Sequence, residues 1–94
     1  MPHSLVQVTV EDYAKWRAVF DEAVTVRRQF GCSGGQVFRD ADSPDTVTIL
    51  LGFNDAGQMR QWAASAELRT AMQRAGVQGR PQVQFLDEVD KAAA

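Results

Sequence analysis

The chain has few of the residues that carry most enzyme chemistry. Its 94 residues include one His, one Cys and one Tyr, three Pro, and no apolar run near the roughly 18 residues that a membrane-spanning helix needs. One cysteine excludes an internal disulfide. Together with one histidine it leaves only scattered carboxylates as metal ligands. Positive charge is not in excess: 10 Lys and Arg against 12 Asp and Glu give a net charge of −2, so nothing draws the chain generally to nucleic acid or an anionic membrane. The start Met-Pro-His-Ser-Leu lacks the basic residues and apolar run of a secretory signal, and with no disulfide the expected setting is the reducing cytoplasm. What is present is ordinary globular material, 45% hydrophobic and 23% charged. So short a chain buries only about 60–65% of its unfolded surface, and a second copy would help to stabilise it.

The pattern of apolar residues organises residues 1–90 as a single α+β domain, with 91–94 as a frayed tail. Ser4 to Val10 alternates with the period of a strand. Tyr13, Trp16, Phe20, Val24 and Arg27 then recur at helical spacing, and Gly31 stops that helix near Phe30. A glycine-rich loop, 31–35, leads to a short strand over 36–40, a turn at 42–45 and the strongest strand of the chain, Thr46 to Phe53. Asn54 is placed to cap a second helix, with a bend near Ser65 and an end at Gly76. A last strand follows Gly79-Arg-Pro81, from Gln82 to Val89. The order is the ferredoxin-like β-α-β-β-α-β, which predicts a four-stranded antiparallel sheet with two helices on one face. Val6, Val8, Val10, Val47, Ile49, Leu51, Phe53, Val83 and Phe85 form the side for the helices. The other side mixes Gln and Thr with Leu5, Leu50 and Leu86, enough apolar surface to predict a second sheet over it and hence a homodimer.

Four stretches carry a resemblance: Val10-Glu-Asp-Tyr-Ala-Lys-Trp-Arg-Ala-Val-Phe20, Val37-Phe-Arg-Asp-Ala-Asp-Ser-Pro-Asp45, Phe53-Asn-Asp55 and Ser65-Ala-Glu-Leu-Arg69. On these residues the chain resembles the dimeric α+β barrel superfamily, within its antibiotic-biosynthesis-monooxygenase-like and small cyclase-like group. Haem-degrading relatives have an Asn on the first strand, a Trp ending the third and a His on the second helix. Here the first strand has no Asn, Phe53 replaces the Trp and the second helix has no His, so haem degradation is not expected. Polyketide-oxidising relatives use polar groups and aromatics between sheet and helices, and the resemblance places Tyr13, Trp16, Arg27 and Trp62 in such a pocket.

Other constellations give way to simpler readings. Gly31-Cys-Ser-Gly-Gly35 fits the G-x-S-x-G pattern of a nucleophile elbow, but the elbow needs a strand before its Ser and a helix after it, and the one base, His3, lies near a terminus. Cys32 has no basic sequence neighbour to activate it. Asp40 to Asp45 lacks the Gly and Glu of a calcium loop, and the open face of the 46–53 strand lacks the aromatics that stack RNA bases. Tyr13, Trp16, Phe20, Trp62, Phe53 and Phe85 can all serve as core. Yet the polar atoms of Tyr and Trp and the Arg27 guanidinium need partners, which also suits a small-molecule pocket. The expected site has Arg27 and Tyr13 as catalytic residues, Trp16, Trp62, Phe53 and Phe85 against an aromatic or polyketide-like ligand, and neither metal nor cofactor. The chemistry expected there is cyclisation or oxygenation. The alternative is a non-catalytic barrel dimer that binds a ligand or partner, with an unknown or stress-related role.

Overall fold

The computed structural model describes all residues, 1–94. In chain order it contains β1 (Pro2–Val10), α1 (Tyr13–Glu22), α2 (Val24–Gln29), β2 (Cys32–Arg39), β3 (Thr46–Phe53), α3 (Ala56–Ala63), α4 (Ala66–Arg74) and β4 (Val77–Asp87). The strands form one antiparallel sheet in the order β2-β3-β1-β4, so the two central strands are the valine-rich first and the leucine-rich third. Opposed residues of an antiparallel pair point to the same side. Val6↔Ile49, Val8↔Val47 and Ser4↔Leu51 therefore line up under the helices. All six are buried, as are Val10 and Phe53. A side chain as fully buried as Phe53 or Val47 contributes about 1.5–3 kcal/mol through the removal of apolar surface from water. Val83 and Phe85 point to the helix side as their pairing with Val6 and Ser4 requires, but β4 is an edge strand that the helices cover poorly, and both stay partly exposed.

Each of the two expected helices is divided. The second bends where anticipated: the Ser65 hydroxyl donates to the Trp62 carbonyl (2.7 Å) and accepts from the Leu68 N–H (3.1 Å), closing α3 and capping α4. The first breaks at Ala23 (φ −80°, ψ 4°), where the sequence has no Gly, Pro or capping side chain to announce it. The cap of α3 is Asp55 and not Asn54. Asp55 is extended and its carboxylate accepts from the Gln58 N–H at 2.9 Å, while the Asn54 N–H is engaged by the Gly31 carbonyl at 2.9 Å.

Two glycine-rich stretches belong to strands and not to loops. β2 begins at Cys32, with a register shift between Cys32 and Gly34, so most of the 31–35 segment pairs with the end of β3. Gly35 makes this pairing sterically feasible: a Cβ there would overlap the Leu50 carbonyl oxygen and lie 2.9 Å from Leu51 Cα. β4 likewise starts at Val77 and passes Gly79-Arg80-Pro81 through an irregularity, the register moving from Thr9↔Gln78 to Gln7↔Gln82. Gly79 supplies a positive φ of 69°, and a Pro without an N–H is tolerated because the strand is an edge. The Asp40 carboxylate accepts from the Asp42 and Ser43 N–H groups (3.1 and 2.8 Å), which commits it to the β2–β3 turn.

Candidate functional site

A cavity of about 430 Å³ lies between the sheet and the helices. Val6, Val8, Ile49 and Leu51 form its floor, Trp16, Val19, Phe20 and Val26 one wall, and Trp62, Leu68, Met72 and Ala75 the other. It exists because the helices are short and jointed. The breaks at Ala23 and Ala64 let α1–α2 and α3–α4 splay over the sheet without filling the space between them. Its lining is mostly apolar, with charge from Glu22, Arg27, Glu67 and Arg74. Arg74 pairs with Glu22 at 2.9 Å, tying α4 to α1 across exposed side chains. Such an exposed pair contributes little to stability, about 0–1 kcal/mol.

Arg27 is the one buried charge. Its Nη1 donates to the Phe20 carbonyl at 2.7 Å, and its guanidinium lies 3.8 Å from the centroid of the Phe20 ring. No carboxylate forms an ion pair with it. Burial is the main influence on this group and pushes its pKa below the ordinary arginine value; the charges of Arg17 and Arg28 act in the same direction, while Cys32 and Asp21 oppose. Arginine nonetheless stays charged in proteins. The result is a cation in an apolar wall with donors to spare, an arrangement suited to a ligand anion.

The six residues expected at the site do not all meet there. Trp16, Arg27 and Trp62 line the cavity. Phe53 stands behind it, with its ring 5.3 Å from that of Trp62, and acts as backing. Tyr13 lies off the cavity beside Trp16, at 5.8 Å between rings, with the Arg39 guanidinium over the Tyr13 ring at 4.3 Å from its centroid. Phe85 is on edge strand β4 under Arg60, away from the cavity. Glu22, Glu67 and Arg74 were not anticipated, since exposed charges on helices are ordinarily solvated and only the packing of α1 against α4 turns these toward an opening.

The sequence profile of the antibiotic biosynthesis monooxygenase family matches residues 4–74. The chain belongs to this family. The match covers every residue that lines the cavity except Ala75. Solved structures with the family's fold include a candidate antibiotic biosynthesis monooxygenase from Bordetella bronchiseptica, 18% identical over 94% of this chain and 96% of that one, with a TM-score of 0.78. Another, from Deinococcus radiodurans, is 17% identical over 100% and 98%, with a TM-score of 0.74. A third, SnoaB from Streptomyces nogalater, described as a cofactor-independent oxygenase, is 12% identical over 96% and 94%, with a TM-score of 0.77. At these identities the likeness concerns the fold. No curated protein matches the chain. No helix is long and apolar enough to cross a membrane.

Within this family fold the serine motif acquires an unexpected neighbour. A Cβ placed on Gly52 would lie 3.1 Å from Ser33 Oγ and 3.5 Å from His3 Nε2, so the two meet at one corner of the open sheet face although 30 residues separate them. No hydrogen bond joins them, and the ring Nδ1 of His3 contacts the Met1 carbonyl at 2.9 Å. A nucleophile needs its base within hydrogen-bond reach, so this pair is not a dyad.

Proposed function

We propose that the protein binds a flat aromatic or polyketide-like molecule in the cavity between helices and sheet and oxygenates or cyclises it without a cofactor. The observation that carries this reading is a single buried, unpaired guanidinium set in an apolar cavity of about 430 Å³ between two tryptophans. Trp16 and Trp62 would stack on the rings, and Arg27 would stabilise a phenolate or enolate, whose charge is worth most in a site that excludes water. In the oxygenation the electron-rich anion itself reduces molecular oxygen: one oxygen atom enters the product and the other leaves as water, with both hydrogens supplied by the substrate carbon. The protein's part is orientation, desolvation and anion stabilisation. The family profile and the cofactor-independent oxygenase among the structural neighbours support this choice. A non-catalytic carrier of the same ligand is the second reading, because Tyr13, the expected proton-transfer group, lies off the cavity.

The deciding experiment is incubation of the purified protein with a polyphenolic anthrone-type polyketide in air and under nitrogen. Oxygen uptake equimolar with product in air, and none under nitrogen, is expected of the oxygenase. Cyclised product under nitrogen identifies the cyclase. Ligand that stays bound and unconverted in both overturns the catalytic reading in favour of the carrier.

The same proposal includes a homodimer formed through the open sheet face, where Phe38 is 50% and Leu86 40% exposed beside Leu5 and Leu50. Leu50→Asp, which puts a charge in the centre of that face, is expected to convert the dimer to monomer in sedimentation equilibrium. A wild-type protein that sediments as a monomer at micromolar concentration contradicts the dimer.

A further inference from the structure

On the other side of Arg27 is a second, smaller space of about 230 Å³, at the corner where α1 and α2 meet the start of β2. Arg27, Phe20 and Leu51 line both spaces and form the partition between them. The character of the two differs: the larger is apolar, whereas the smaller is faced by Arg17, Arg27, Arg28, Ser33 and the backbone of Gly34 and Gly35. Three arginines thus line one cleft. The carboxylate that acts on Arg27 from this side, Asp21, is already engaged by Arg17 Nε at 3.0 Å. Arg28 forms no side-chain hydrogen bond or ion pair within the chain, and Arg27 uses one of its five N–H donors, on the Phe20 carbonyl. Two like charges side by side repel each other, and one of them is buried, a cost that the Phe20 carbonyl and ring and the charge of Asp21 offset only in part. Stability alone gives no reason to keep such an arrangement. A bound anion would supply one, because each guanidinium presents a planar fork matched to two oxygens of a carboxylate or phosphate.

We propose that this cleft is an oxyanion-binding site, in which a carboxylate or phosphate group is held between Arg27 and Arg28, with Arg17 and the backbone of Gly34 and Gly35 at its rim. It is separate from the apolar cavity and requires no particular ligand there. Because Arg27 is the shared wall, an anion in the cleft fixes the direction in which that guanidinium points and so acts on the apolar cavity from behind.

The test is a nuclear magnetic resonance titration of the whole protein with sodium phosphate, with sodium acetate, and with sodium chloride at matched ionic strength. The resonances read are Arg27 Nε–H and the Ser33, Gly34 and Gly35 amides. Saturable shifts with phosphate or acetate, absent with chloride, are expected. Saturation by phosphate alone points to a phosphate-bearing ligand, and saturation by acetate to a carboxylate. Arg28→Gln should weaken binding about tenfold, the equivalent of one charge-assisted hydrogen bond, and Arg17→Gln with Arg28→Gln should abolish it. Both side chains are largely in solvent and neither lines the apolar cavity, so the same spectra report an intact fold, and a failed activity assay leaves this result untouched. Shifts no larger than those of chloride, or saturation undiminished in both variants, overturn the proposal.

Discussion

Arg27→Met is expected to lower turnover of the aromatic substrate by about 10²–10³-fold, the loss seen when a donor aimed at a developing oxyanion is removed. Its effect on stability is expected to be opposite to that of an ordinary core mutation. Arg27 is 9% exposed, and its guanidinium has one hydrogen bond, to Phe20, and no ion-pair partner. Methionine has similar length, fills irregular space and needs no solvation, so removal of a buried unpaired cation should leave the melting temperature unchanged or raise it. Loss of activity in a protein of equal or greater stability would mark Arg27 as a residue kept at a cost to the fold, as functional sites often are. The measurements are oxygen uptake and thermal unfolding of the same preparations. A variant that retains full activity removes Arg27 from the site, and one that melts many degrees lower shows that the guanidinium is structural.

Gly35→Ala should have the largest effect on the fold of any single methyl group added to the chain. The new Cβ would overlap the Leu50 carbonyl oxygen, which is backbone in the neighbouring strand and not a flexible side chain that can turn away. Relief requires β2 to move off β3, with loss of part of a ladder that runs from Cys32↔Phe53 to Arg39↔Val47. A cost above about 4 kcal/mol is expected, against a total stability of about 5–15 kcal/mol for a domain of this size. The midpoint of urea unfolding should fall steeply, and amide exchange in β2 should accelerate before that in β1. Gly34→Ala is the matched comparison, because a Cβ there would meet nothing within 4 Å; its cost comes only from the positive φ of 117°. Equal stability of Gly35→Ala and the wild type would show that β2 does not need this close approach.

These expectations rest on parts of the molecule that differ in how plainly the chain announces them. Strand faces are legible because their period is two: Val6, Val8, Val47, Ile49 and Leu51 could be placed under the helices from alternation alone, and the register puts them there. Ser65 was legible because a hydroxyl that can cap a following helix is a local device. The break at Ala23 was not, since it follows from how α1 and α2 pack on the sheet and from no residue in the helix itself. The glycines at 31–35 and the Gly-Arg-Pro at 79–81 suggest loops by composition, yet pairing with β3 and β1 draws both into strands, and glycine then serves close approach or a bulge.

The same division holds at the site. Helical spacing was enough to put Trp16 and Arg27 on one stripe and Trp62 on another, because residues three and four apart share a helix face whatever lies opposite. Which of the aromatics see open space was not contained in that spacing. Phe53 and Phe85 share a strand face with the cavity floor, but one is sealed behind Trp62 and the other lies on an edge strand under Arg60. Tyr13 belongs to the stripe but stops one ring short of the cavity. Arg27 shows the point most clearly: its position on the helix is a local property, whereas its burial, its lack of a carboxylate and its place between an apolar cavity and an arginine-lined cleft arise from contacts between segments far apart in the chain. Local period sets the direction of a side chain, and only the assembled layers set what it faces.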